Sequence, residues 1–248
     1  MGESLRDIRT RLVTAQKPPH GVAAWSRFIN RPLGRHIAAV AYRLGLSPNQ
    51  VSIVSAILTF SGIALIAGTE LNAWTSILVG LLLVAGYAVD SADGQVARLT
   101  GTSSVLGEWL DHTFDCLKTA SVHLAVVVHM FRFVDLDGAW MYAVPLAYSV
   151  VAVELFFGQI LMDQLRRAAH AGTRGPQTGS LSIVGSLAKL PFDYGLLAAV
   201  LGLLHWWNAF FVLYSLLLVG TTLALLVALS RWVRMLRSID EGRAAAPA

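Results

Sequence analysis

Six predominantly apolar runs, each near the ~20 residues that carry a helix across a hydrocarbon core, leave this chain few ways to fold. They lie at about Asn49–Ala67, Trp74–Val89, Leu110–Phe131, Trp140–Leu161, Leu181–Leu204 and Ala209–Ser230. Together they use most of the 248 residues, of which 55% are hydrophobic and 14% charged, so no separate soluble domain is expected. The expected fold class is an all-α membrane protein, a six-transmembrane-helix bundle preceded by an N-terminal amphipathic interfacial helix. Met1 to Pro19 is polar and charged, without the apolar core of a cleaved signal. A lone cysteine, Cys116, excludes an internal disulfide, and the 7 histidines show no zinc spacing. Packing or polar-contact roles are the simplest reading of Cys116 and His112.

The placement of charge says more than its sum of +4. One side of the six-span layout holds Arg6, Arg9, Arg11, Lys17, Arg27, Arg31, Arg35, Arg43, Arg98, Arg166, Arg167, Arg174, Arg231, Arg234, Arg237 and Arg243. The other holds Arg132 with the acidic Glu70, Asp135 and Asp137. The positive-inside rule then predicts a multi-pass protein of the cytoplasmic membrane with both termini in the cytoplasm; no nucleic-acid partner is expected. The chain divides into a mobile basic tail over 1–20, an amphipathic juxtamembrane helix over 21–46, a six-helix membrane domain over 47–235 and a disordered tail over 236–248. In the second segment Arg27, Arg31 and Arg35 share a helical face, which predicts contact with anionic lipid headgroups; packing on the protein itself is the alternative. Asn30 before Arg31-Pro32 reads as a helix cap followed by an early-turn proline. Ser47-Pro48-Asn49-Gln50 reads as the start of the first span.

Between the second and third runs stands a run of fixed residues: Asp90-x2-Asp93-Gly94-x2-Ala97-Arg98-x8-Gly107-x3-Asp111-x3-Asp115. Carboxylates at a membrane span are costly and mark functional sites. Spacings of three and four put Asp90 with Asp93, and Asp111 with Asp115, on single helical faces. A hairpin of the two spans would then gather all four at the cytoplasmic mouth. Four carboxylates repel unless cations sit between them. All-oxygen ligation favours Mg²⁺, Mn²⁺ or Ca²⁺. Two such ions about 4 Å apart are a common solution for displacement at phosphorus. Gly94, Ala97 and Gly107 remove bulk where a phosphate must approach backbone, and Arg98 offers a fixed fork of donors to it.

This motif resembles the signature of the CDP-alcohol phosphotransferase family at every fixed position, and Leu46-Ser47-Pro48-Asn49-Gln50 resembles the start of the first span in many members. The resemblance implies a six-helix membrane bundle, usually a homodimer, using two divalent cations, Mg²⁺ or Mn²⁺. By the same resemblance Asp90, Asp93, Asp111 and Asp115 would hold the metals, with Asp115 also the general base. Asp93, Gly94, Ala97, Arg98, Ser104 and Gly107 would bind the CDP part of the donor. An acceptor hydroxyl would attack the phosphorus bonded to the alcohol and expel CMP.

The donor stays open between CDP-diacylglycerol and a CDP-inositol-like molecule. Asp111-His112 departs from the Asp-Pro form common in glycerophosphate users. Cys116 stands where many inositol-phosphate users carry arginine. Arg166, Arg167, Arg174 and Lys189 are candidate residues for an anionic acceptor, or else topology charges. Glu154 is expected to face the polar interior, and Lys189 to pair with Asp193. The rival readings are a cation-coupled carrier and a catalytically silent scaffold.

Overall fold

The structure, a computed structural model, describes residues 5–14, 22–169, 186 and 189–244. Every described element is helical. In chain order these are α1 (Leu5–Thr14), a π-turn Ser26–Asn30 running into α2 (Arg31–Arg43), α3 (Pro48–Gly68), α4 (Ala73–Thr100) and α5 (Val105–Phe133). A 3-10 turn at Ala139–Tyr142 leads into α6 (Ala143–Ala169); a second, Leu190–Phe192, precedes α7 (Tyr194–Leu201), and α8 (Trp207–Ala244) closes the chain. Five of these helical segments are long and apolar enough to cross a membrane: α3, α4, α5, α6 with its leading turn, and α8. The protein is therefore an all-α, multi-pass membrane protein.

The expected fifth span, Leu181–Leu204, falls partly outside the described residues. Its described part is not one continuous helix. Pro191 has no N–H to continue a helical ladder, and Asp193 is extended (φ −78°, ψ 122°) and caps α7 by accepting from Gly195 N–H at 3.0 Å.

Local chemistry sets the other boundaries. Ser47 Oγ accepts from Gln50 N–H at 3.3 Å while Gln50 Oε1 accepts from Ser47 N–H at 2.9 Å, a reciprocal cap that starts α3 where the Ser-Pro-Asn-Gln segment predicts. α4 does not stop at Val89; it continues as helix through the whole first half of the aspartate motif. It ends at Gly101, whose left-handed backbone (φ 69°) suits glycine. Three residues later Ser104 caps α5 by accepting from Gly107 N–H at 3.0 Å.

Two expectations for the ends differ from what is seen. The N-terminal stretch expected to be mobile contains α1, an amphipathic helix whose Ile8 and Leu12 are buried in one cluster with Ala38, Ala92 and Val96. At the other end α8 continues past residue 235 to Ala244 as helix. Asn30 is not a cap: its backbone is helical, and its Nδ2 donates to Tyr87 carbonyl on α4 at 3.0 Å.

α3 packs on both α4 and α5, α2 and α7 pack on α4, and α6 joins α5 to α8. α4 and α5 themselves have almost no direct backbone contact. Toward the end away from the aspartates the interior is closed by Val79, Leu83, Val126, Met130, Phe210 and Tyr214, each essentially inaccessible to solvent. Toward the other end the gap between α4 and α5 stays open, and the aspartates face it.

A carboxylate cluster between two splayed helices

Asp90 and Asp93 on α4 and Asp111 on α5 each place one carboxylate oxygen within 4.8 Å of the others; Asp111, His112 and Asp115 form a second such group. The four aspartates singled out by spacing are thus brought together, with His112 beside them. α3 fixes the α4 pair: Ser52 Oγ donates to Asp93 Oδ2 at 2.5 Å, and Ser55 Oγ to Asp90 Oδ1 at 3.4 Å. Gly94 N–H also donates to Asp93 Oδ1. The α5 pair is held differently. Lys118, buried one turn beyond Asp115, sets its Nζ 2.5 Å from Asp115 Oδ1 and 3.4 Å from Asp90 Oδ1. That ammonium ties α5 to α4 across the gap and lies 5.4 Å from the Tyr194 ring centroid.

Three cavities meet at this cluster. The largest, about 520 Å³, is lined by Asp93, Gly94, Ala97, Arg98, Ser104 and Gly107, together with Asn49, Asp111, His112, Asp115 and Arg167. Every residue assigned to the donor by resemblance therefore lines one space. A Cβ on Gly107 would stand 3.3 Å from Asn49 Oδ1 and one on Gly94 3.3 Å from an Arg98 guanidinium nitrogen, so the two glycines keep this wall clear. A second cavity, about 270 Å³, is bounded by all four aspartates, Ser91, Gln95, Arg98 and, from α2, Arg31. Burial is the largest influence on the Arg31 guanidinium and lowers its pKa; Tyr87 opposes this and Arg27 adds to it. The third, about 310 Å³, runs from Asp90, Asp115 and Lys118 into the bundle past Tyr148, His123 and Thr221. Asp115 lies on the wall of all three.

The donor set fits divalent cations. Carboxylate oxygens converge from two helices, Lys118 offsets one of their four negative charges, and oxygen-rich ligation suits Mg²⁺ or Mn²⁺.

Other expectations resolve unevenly. Arg166 is bound to Asp163 at 2.7 Å on the exposed end of α6. Arg167 is bound to Glu108 at 2.7 Å and lines the largest cavity. Lys189 stands at the break before α7, and Arg174 lies outside the described residues. The structure does not gather the described members of this set into one pocket. Glu154 is exposed on α6 instead of facing the interior. Asp193, expected to pair with Lys189, caps α7 and accepts from Ser26 N–H at 3.0 Å, pinning the N-terminal arm. Arg27 turns inward to donate to Ser186 Oγ at 3.2 Å, and Arg31 faces the aspartates, so two of the three arginines expected at lipid headgroups meet the protein. Lys118 and Arg31 are the site residues that spacing missed. An Asp–Lys pair at i, i+3 was a readable signal for the first; nothing local marked the second.

The fold and site thus define a membrane-embedded helical bundle with an acidic cluster at one mouth and a polar cavity beside it. A sequence profile of CDP-alcohol phosphatidyltransferases matches residues 45–232, well over half of the chain; the protein belongs to that family. It is similar to archaetidylinositol phosphate synthase of Pyrococcus horikoshii, 33% identical over 132 residues, which is 51% of this chain and 65% of the relative. It also resembles phosphatidylinositol phosphate synthase of Corynebacterium glutamicum, 33% identical over 90 residues (36% of this chain, 39% of the relative). Ethanolaminephosphotransferase 1 of Mus musculus is 41% identical over 56 residues, 23% of this chain and 14% of the relative. The match spans less than two thirds of each relative.

Proposed function

We propose that the protein transfers a phospho-alcohol group from a CDP-alcohol to an acceptor hydroxyl and releases CMP, in the synthesis of phospholipids or related polar lipids. The observation that carries this reading is the position of Asp115, on the wall shared by the three cavities. The donor would occupy the largest cavity, with Gly94, Ala97 and Gly107 admitting its backbone-hugging phosphates and Arg98 binding their oxygens. Asp90, Asp93, Asp111 and Asp115 would hold two divalent cations, Mg²⁺ or Mn²⁺, which offset charge on the pyrophosphate and on departing CMP.

Asp115 would take the acceptor proton as the new oxygen–phosphorus bond forms. The bond between that phosphorus and the bridging oxygen to CMP breaks, and its electron pair leaves on CMP. Lys118 holds Asp115 Oδ1, which leaves the other carboxylate oxygen to face the acceptor and fixes its reach. CDP-diacylglycerol and a CDP-inositol-like molecule both present the required diphosphate. Two of the relatives are named for inositol phosphate lipids and one for ethanolamine, so inositol phosphate and amino-alcohol lipid chemistry head the substrates to test. The arginine asymmetry of the sequence supports a site and termini facing the cytoplasm from the cytoplasmic membrane.

The test is CMP release by purified full-length protein in detergent, given CDP-diacylglycerol or CDP-inositol and a panel of hydroxyl acceptors. The expected result is release that needs Mg²⁺ or Mn²⁺, stops in EDTA and depends on one donor–acceptor pair. Protein that binds neither CDP nor Mn²⁺ would refute the reading.

A further inference from the structure

The segment that matches the family begins at residue 45, yet one wall of the cavity enclosing the four aspartates is made by Arg31, from the helix before it. That helix is fastened in place. Asn30 donates to Tyr87 carbonyl at 3.0 Å, Ser26 N–H donates to Asp193 at 3.0 Å, and Gln95 Nε2 donates to Arg31 carbonyl at 3.5 Å. Gly34 lets α2 press against the motif: a Cβ there would stand 2.9 Å from both Ser91 Oγ and Gln95 Nε2. Meanwhile Phe28, Leu33 and Val40 point outward and are exposed. The arm therefore offers its apolar side to the surroundings and turns Arg31 toward the aspartates.

In that cavity Arg31 shares the space with Arg98, which also lines the larger cavity. Four carboxylates also bound that space, and with cations on them the two guanidinium groups lining it would present donors to a further anion with several oxygens; the fork geometry of arginine suits phosphate. We propose that Arg31 is a donor-binding residue that grips the diphosphate of the cytidine nucleotide opposite Arg98, so that the N-terminal arm completes the site. This rests on the CDP-alcohol reading above. It separates two jobs along the donor: Gly94, Ala97 and Gly107 admit it, while Arg31 and Arg98 clamp its charge.

The experiment compares binding of CDP and of cytidine, with Mn²⁺ present, to full-length wild type, Arg31→Ala and Arg31→Lys in detergent. Loss of one charge-assisted contact should weaken CDP binding about ten- to a hundredfold in Arg31→Ala. Arg31→Lys should lose less, since it keeps the charge without the fork. Cytidine affinity should not change in either. Wild-type CDP affinity in Arg31→Ala would overturn the proposal and return Arg31 to a lipid-headgroup or bracing role. Equal losses for CDP and cytidine would overturn it too, as the mark of a deformed pocket. If Arg31→Ala does not fold, Arg31→Gln, closer to the native length, is judged by the same criteria. Wild type that fails to bind CDP would instead sink the CDP-alcohol reading itself.

Discussion

The two aspartate pairs of the site come from one continuous motif but are held in different ways. Asp93 on α4 is buried and bonded by Ser52 and Gly94, and Asp90 is met by Ser55. Those partners are short side chains and backbone, with little freedom to move, although Asp90 also meets Lys118 at 3.4 Å. On α5, Asp115 is held by the long side chain of Lys118, and Asp111 and His112 border open cavity. A carboxylate fixed by hydroxyls and backbone is prepared to be a permanent metal ligand. A carboxylate held at one oxygen by a buried ammonium keeps its other oxygen available, with a fixed reach, for accepting a proton. The near absence of contact between α4 and α5 makes this division workable, because it leaves open the space that the proposed metals and donor would fill.

That contrast can be broken in graded steps. The largest effect of these is expected for Asp93→Asn, which removes a proposed fixed ligand: activity should drop about a thousandfold or more, with Mn²⁺ binding weakened in parallel. Unchanged Mn²⁺ affinity, read by electron paramagnetic resonance, would show that the α4 pair is not the permanent half of the site. Next comes Lys118→Met, which strands Asp90 and Asp115 without their cation. In EDTA this should cost about 3–5 kcal/mol of stability, and adding Asp115→Asn to it should restore part of the loss. A double variant no more stable than Lys118→Met would mean that the lysine is only packing. Ser52→Ala deletes one hydrogen bond to a carboxylate, about 1.5–3 kcal/mol, and should appear as roughly tenfold weaker Mn²⁺ binding with the fold intact. The smallest expected effect lies at the closed end of the same helix. A Cβ on Gly80 would stand 2.8 Å from Gly202 Cα, so Gly80→Ala should lower stability by about 1–3 kcal/mol. Its Mn²⁺ affinity should stay at the wild-type value, and a change there would show that the two ends of α4 are not independent.

Much of this was readable from sequence because the relevant forces are local. Apolar runs forecast the long helices, and Ser47 starts α3 where the Ser-Pro-Asn-Gln segment predicts. The spacings of three and four put the aspartates on shared faces. What escaped depends on contacts between distant segments. Arg27, Arg31 and Arg35 share a face, but no local rule says whether it turns to lipid or to α4; Asn30, Ser26 and Gly34 decide that through Tyr87, Asp193 and Ser91. The packing of α1 was hidden because its apolar residues are few, only Ile8 and Leu12 being buried. Glu154 looked interior because charge in a span usually is, yet the rotation of α6 turns it outward.

The most direct test of the account is the transfer rate of Asp115→Asn, measured beside wild type together with CDP and Mn²⁺ binding. A base at the junction of the three cavities predicts a loss of about a hundred- to ten-thousandfold in rate, while CDP still binds within a few-fold of wild type. Transfer at a near-normal rate in a variant that binds CDP and Mn²⁺ would contradict it, and proton removal would then belong to another group at the same mouth.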